Sequence, residues 1–264
     1  MNIIVQELKN NRRFMMVWTF SLAAILVIFM LIYPAMLDQA SAYKEILAGV
    51  PKEVIEALSI NIDLLLSYNG FYGYIYIYLL IALGVMGMIL GLGMFSKEIT
   101  GKTADFLITK PLTRTTIITN KILAGIWIIL MTNIILILIG IILKLILSDN
   151  GEGLKAMLLI SFSGFFTQLI FFSLGIFIGI LKKRIRFISS FAMSVVFGFF
   201  ILSMVSQIME EKALYYLTPF RYFDANTLIL KGAYESKYLA LTFAIVLVLL
   251  GLSYVVFKKK DIHA

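Results

Sequence analysis

Six stretches nearly free of charge dictate what this chain can fold into: Phe14 to Tyr33, Gly70 to Phe95, Ile117 to Leu147, Leu154 to Leu181, Phe187 to Ile208 and Tyr238 to Phe257. About 20 apolar residues in a helix cross a hydrocarbon core about 30 Å thick, so each stretch suffices for one crossing. In lipid every backbone N–H and C=O must be paired within its own segment, and these runs lack the alternation of barrel strands. The expectation is an all-α integral membrane protein of six transmembrane helices, a single domain over residues 1–264. Composition agrees: 61% of residues are hydrophobic, 14% are charged, and the mean hydropathy is +0.98.

Charge placement sets the expected orientation. With the N-terminus cytoplasmic, the inner segments hold Lys9, Arg12, Arg13, Lys97, Lys102, Lys110, Arg114, Lys121, Lys182, Lys183, Arg184, Arg186 and Lys258 to Lys260. These are 15 of the 23 basic residues, and only 4 of the 15 acids share that side. An even span count returns the C-terminus to the cytoplasm, and the positive-inside rule is obeyed at every inner segment. The net charge of +8 therefore points to anionic membrane lipids as partners and not to nucleic acid. Lys144 is expected to snorkel from the end of the third span. The absence of cysteine removes disulfides, thiol chemistry and thiolate metal sites.

The first apolar run is too long for the roughly 7 to 15 residues of a signal-peptide core, so a retained span is expected. Ahead of it, Ile3, Ile4, Val5 and Leu8 share one helical side, with Glu7, Lys9 and Arg12 elsewhere, which suits an N-terminal interfacial helix. In the first outer loop, Val54, Ile55, Leu58, Ile62 and Leu65 recur at helical spacing and predict one amphipathic helix on the outer leaflet. The third outer loop, about 209–237, is rich in aromatic residues and is broken by Pro219. Tyr72, Tyr74, Tyr76 and Tyr78 read as an aromatic belt at the membrane interface. Gly87 with Gly91, and Gly175 with Gly179, have the spacing that lets helix backbones approach.

No catalytic or metal-binding set can be assembled. Intramembrane proteolysis needs Ser with a base, paired aspartates or a zinc site, and the single histidine is His263, next to the C-terminus. The Glu210 and Glu211 pair has no intramembrane histidine to work with. Self-powered ion transport usually needs an ionisable group near mid-membrane, and the spans offer mainly Asn133 and Gln168, candidates for interhelical hydrogen bonds or for lining a substrate path. The Gly101-Lys102-Thr103 triplet is not a phosphate loop, because position 96 is Ser96 and no strand precedes it. No enzymatic activity or bound cofactor is expected of this chain; any ATP belongs to another polypeptide.

The basic island between the second and third spans, KEITGKTADFLITKPLTRTTIITNK (97–121), is built differently from its surroundings. From Thr100 it can form a short helix with Phe106 and Leu107 on one side, ended by Pro111. Thr113 then suits the N-cap of a helix that runs through Ile117, Ile118 and Ile122 into the third span. This predicts a cytoplasmic helix with an apolar knob, within a loop 97–116 braced between two membrane helices.

This segment resembles the cytoplasmic loop after the second span in permease subunits of export-type type 2 ABC transporters. The matching residues are Glu98, Gly101, Thr103, Phe106, Leu107, Pro111, Thr113, Arg114 and Lys121; Lys102 separates the Gly from the Thr, and Phe106 replaces a Leu. The start Glu7-Leu8-Lys9 and the element Tyr216-Leu217-Thr218-Pro219-Phe220 extend the likeness over most of the chain. The resemblance implies a permease that pairs with itself or with a sister permease in a bacterial plasma membrane. It also implies a cytoplasmic ABC ATPase that binds ATP and is seated by the N-terminal helix and by a coupling contact of Glu98, Gly101, Thr103, Phe106, Leu107, Pro111 and Arg114. Cargo in such systems ranges over peptides, antibiotics, lipids and ions. The alternative is a membrane interaction, immunity or sensor protein without transport of its own.

Overall fold

A computed structural model describes residues 3–57, 61–100, 113–148, 153–182, 185–209 and 212–259. Among these the protein is helical with no strand, and six helices are long and apolar enough to cross a membrane. In chain order the helices are α1 (Ile3–Met30), α2 (Tyr33–Asp38), α3 (Ala40–Ala48), α4 (Lys52–Ala57), α5 (Ile62–Leu65), α6 (Tyr68–Thr100) and α7 (Arg114–Leu147). There follow α8 (Leu154–Leu181), α9 (Ile188–Ile208), α10 (Lys212–Tyr215), α11 (Ala225–Lys231) and α12 (Ser236–Lys259). The six expected spans correspond to α1, α6, α7, α8, α9 and α12.

The centre of the bundle is α6 against α8, flanked by α1 against α7, α12 against α8 and α9 against α6. In the most apolar stretch of α6, 78% of residues are buried, against 17% in α9 and in α12, which leaves those two helices largely facing outward. Lipid is as apolar as Leu, so such helices associate through close packing and hydrogen bonds, not through water exclusion. The glycines supply the packing. A Cβ on Gly175 would stand 2.6 Å from the Met88 carbonyl oxygen, and one on Gly91 would collide with the Phe172 carbonyl. The spaced glycine pairs thus join two helices of one chain.

Local chemistry explains several boundaries. No Gly or Pro interrupts residues 3–30, so the expected interfacial helix and the first span form one continuous helix, α1. Pro34 sits in the first turn of α2, where its missing N–H has no helical partner to lose. The single amphipathic helix expected in the first outer loop is instead two short ones, α4 and α5. Asn61 starts the second by accepting from the Leu64 N–H, 3.2 Å away, and Leu58 lies outside the described residues. Asp224 caps α11 through the Thr227 N–H at 2.9 Å, and Gly232 ends it with φ 60°.

Two expectations about side chains are corrected. Tyr72 and Tyr76 are not part of an interfacial belt: with Tyr68 they recur every fourth residue, on the buried face of α6, and their rings stack at 6.2 and 5.5 Å. The Tyr72 hydroxyl bonds the Ser161 hydroxyl at 2.7 Å, and the Tyr76 hydroxyl donates to the Ser161 carbonyl at 2.8 Å. Tyr74 and Tyr78 lie on the other side of the helix, hydroxyl to hydroxyl at 3.0 Å. Lys144 does not snorkel outward; it is buried, donating to Asn69 Oδ1 at 2.9 Å and lying 4.8 Å from the Tyr68 ring centre.

Candidate functional site

The candidate site is the end of the bundle where α6 stops and α7 begins. Thr113 is extended (φ −72°, ψ 149°), and its hydroxyl accepts from the Thr116 N–H at 3.2 Å, capping α7 as its sequence position implies. That start fixes the register of the first turns of α7. Helical spacing then places Ile118, Lys121, Ile122 and Gly125 together on its buried face.

Lys121 is therefore carried into the bundle, where its side chain is only 3% exposed. Its Nζ lies 2.6 Å from Glu7 Oε1 and donates to the Met94 carbonyl at 2.9 Å; the Phe95 ring centre is 5.7 Å away. The side-chain amide of Asn11 donates to the Glu7 backbone carbonyl at 2.9 Å and to its carboxylate at 3.4 Å. One lysine thus ties α1, α6 and α7 together. A buried charge is tolerated only when paired and hydrogen-bonded, and both conditions are met here.

The C-terminal helix joins the same end. Arg114 donates to the Lys258 carbonyl at 3.3 Å, the hydroxyls of Thr119 and Tyr254 meet at 2.7 Å, and Phe95 packs edge-on against Phe257 at 5.6 Å. Both terminal helices therefore converge on the roots of α6 and α7, in agreement with an even number of crossings.

The sequence-derived residues divide into three groups. Glu7 is brought to Lys121, Leu8 packs against the core, Lys9 is exposed and Arg114 reaches α12. Glu98 falls in the last turn of α6, and its side chain is not described. Gly101, Thr103, Phe106, Leu107 and Pro111 lie outside the described residues, as does the helix expected there. Sequence reasoning placed Glu7 and Lys121 at the same face but did not join them. The available signal was a lysine about one turn inside an apolar span, on the side where an N-terminal carboxylate was already expected.

Asn133 and Gln168, halfway along α7 and α8, meet each other. The Asn133 amide donates to Gln168 Oε1 at 2.7 Å and to the Ile129 carbonyl at 2.9 Å, and both side chains are buried. Asn133 Oδ1 and Gln168 Nε2 have no hydrogen-bond partner among the described residues. The pair is an interhelical hydrogen bond with a donor and an acceptor to spare.

The opposite end carries a pocket of about 230 Å³ bordered by Tyr215, Tyr222, Tyr238, Arg221, Asp224 and Lys237. Its charges are engaged from within: Arg221 donates to Gln207 at 2.6 Å, and Lys237 lies 2.9 Å from Glu235. Hydrogen bonds from Lys231 and Lys237 hold the Glu235 carboxyl below its usual range, and burial pushes the Tyr222 hydroxyl up to about 12. Among the described residues no group of His, Cys, Asp or Glu could hold a metal ion.

No characterised protein matches the chain. The family model for the ABC-2 family transporter protein matches residues 1–262. Six membrane-length helices and a match over nearly the whole sequence agree, and such permeases work with an ATPase subunit: the chain belongs to the ABC-2 family of transporter proteins, as a multi-pass membrane permease.

Proposed function

We propose that this permease is the membrane subunit of an ATP-driven exporter in a bacterial plasma membrane, paired with itself or a sister permease. The end of the bundle holding Lys121 faces the cytoplasm and receives an ATPase subunit at the 97–116 loop and the N-terminal helix. The chain itself is not an enzyme; ATP is bound and hydrolysed in the partner. The observation that carries this reading is the family match over residues 1–262. The convergence of α1, α6, α7 and α12 on the residues flanking the basic island supports it. The cargo is a peptide, antibiotic, lipid-like compound or ion, and Asn133 and Gln168, buried with a spare amide acceptor and donor, would meet it only if α7 and α8 part during the cycle.

The test is purification of the tagged permease in mild detergent from its native membrane, followed by mass spectrometry of what accompanies it. A soluble subunit with a Walker phosphate loop, recovered in comparable amount, is the expected result. Phe106→Asp is expected to remove that subunit by about tenfold or more while the permease still inserts, because a charge replaces the apolar knob. Wild-type permease repeatedly free of any ATPase would favour a non-transporting interaction or sensor protein.

A further inference from the structure

α6 runs on from Met94 to Thr100, and α7 begins at Arg114, seven residues before Lys121. Lys121 grips α6 through the Met94 carbonyl and the start of α1 through Glu7, from a position on α7. We propose that Glu7 and Lys121 are a positioning pair for the transport cycle, holding the start of α1 in fixed register against α6 and α7 at the ATPase-facing end of the bundle. This rests on the permease reading above and names the residues that carry it out.

Three observations lead there. First, the pair joins residues 114 apart in sequence, at 2.6 Å, while the same Lys121 Nζ donates to the Met94 carbonyl of α6 at 2.9 Å. Second, a buried ion pair is an uneconomical way to hold helices together, since apolar residues of similar volume often stabilise as well or better. What a short ion pair adds is direction: α1 cannot rotate or slide past α7 by a residue without breaking it, whereas an apolar contact tolerates the slip. Third, further along α1 the Thr19 hydroxyl meets that of Thr132 on α7 at 3.0 Å while Val17, Phe20 and Ile28 face outward, so the ion pair acts on the end of α1 that lies beyond this contact.

The chain has no cysteine, so cysteines placed at Asn10 on α1 and Asn120 on α7 can carry spin labels at those two positions alone. Distances are read in the complex purified from native membrane, with and without ATP plus vanadate, for four backgrounds: the unchanged pair, Lys121→Met, Lys121→Arg, and the apolar double variant Glu7→Leu/Lys121→Met. Expected are a narrow distribution for the unchanged pair in both nucleotide states, a broadened one for Lys121→Met and for the double variant, and a return to narrow for Lys121→Arg. The amount of ATPase retained by the permease should fall about tenfold, an effect of about 1.4 kcal/mol, in the two broadened backgrounds.

The double variant leaves no unpaired buried charge and so keeps the test open if Lys121→Met does not fold. A double variant with an unchanged narrow distribution and full ATPase retention would overturn the proposal, leaving the pair a packing contact only. If even the unchanged permease brings no ATPase, the exporter reading fails separately. The distributions of the permease alone then decide whether the pair fixes α1: narrow becoming broad upholds the tie, and no change removes it.

Discussion

Two buried lysines sit on α7, Lys121 near its start and Lys144 near its end, and they are satisfied in different ways. Lys121 meets a carboxylate from the far N-terminus and a backbone carbonyl of α6. Lys144 is held by the Asn69 amide oxygen, the Gly153 carbonyl at 3.4 Å and the Tyr68 ring. The first gathers three membrane helices across 114 residues of sequence; the second fastens the beginnings of α6 and α8 to the helix between them. A charge can be buried at either end of a span, but the choice of partner decides whether the result is a tie between distant segments or a local brace.

Removing Glu7 should separate the two most sharply. Glu7→Gln leaves Lys121 buried without its carboxylate, and breaking one side of such a pair costs about 3–5 kcal/mol. Thermal unfolding in detergent should show the loss, and hydrogen exchange should show it concentrated in residues 3–15. At the other end, Asn69→Leu takes one neutral acceptor from Lys144 and should cost about 1–3 kcal/mol, with ATPase retention unchanged. Equal loss of ATPase retention in both variants would erase the distinction between tie and brace.

A smaller effect lies in the loop before α12. The Glu235 carboxyl is held low by Lys231 and Lys237, so its contribution is present above its ordinary value of 4.5 and fades as pH falls through the lowered one. The group is accessible, so the contribution is below about 1 kcal/mol. Comparing Glu235→Gln with the unchanged protein from pH 7 downward should show a difference at pH 7 that shrinks as the pH falls below 4.5. The start of α7, which involves no acid in this loop, should report the same midpoint in both proteins.

Hydropathy made the spans legible, and α8 falls on the expected residues because nothing but a long apolar run is needed to define it. Thr113 was legible as a cap because its hydroxyl, two residues beyond a proline, has a short-range partner in the Thr116 N–H. The tyrosines misled because alternate residues look clustered in sequence, yet a helix turns 72 and 76 inward and 74 and 78 away. In the first outer loop the apolar spacing was real, but a helix also needs an uninterrupted chain, and Asn61 starts a new one. The Glu7 and Lys121 contact was signalled only by a lysine inside an apolar span, since no local pattern records which two charges 114 residues apart will meet. The helix expected around Phe106 lies outside the described residues.

The glycine seam between α6 and α8 has a mechanical consequence. Where side chains separate two helices, rotamer changes can absorb a small displacement; where backbone meets backbone, as at Gly91 with Phe172 and Gly175 with Met88, almost nothing can. At 33 residues, α6 is about 50 Å long, and its far half is keyed to α8 through the tyrosine column and Ser161. A displacement applied at Thr100 would therefore turn α6 and α8 together, with α9 and α12, most of whose surface faces outward, the helices freest to yield.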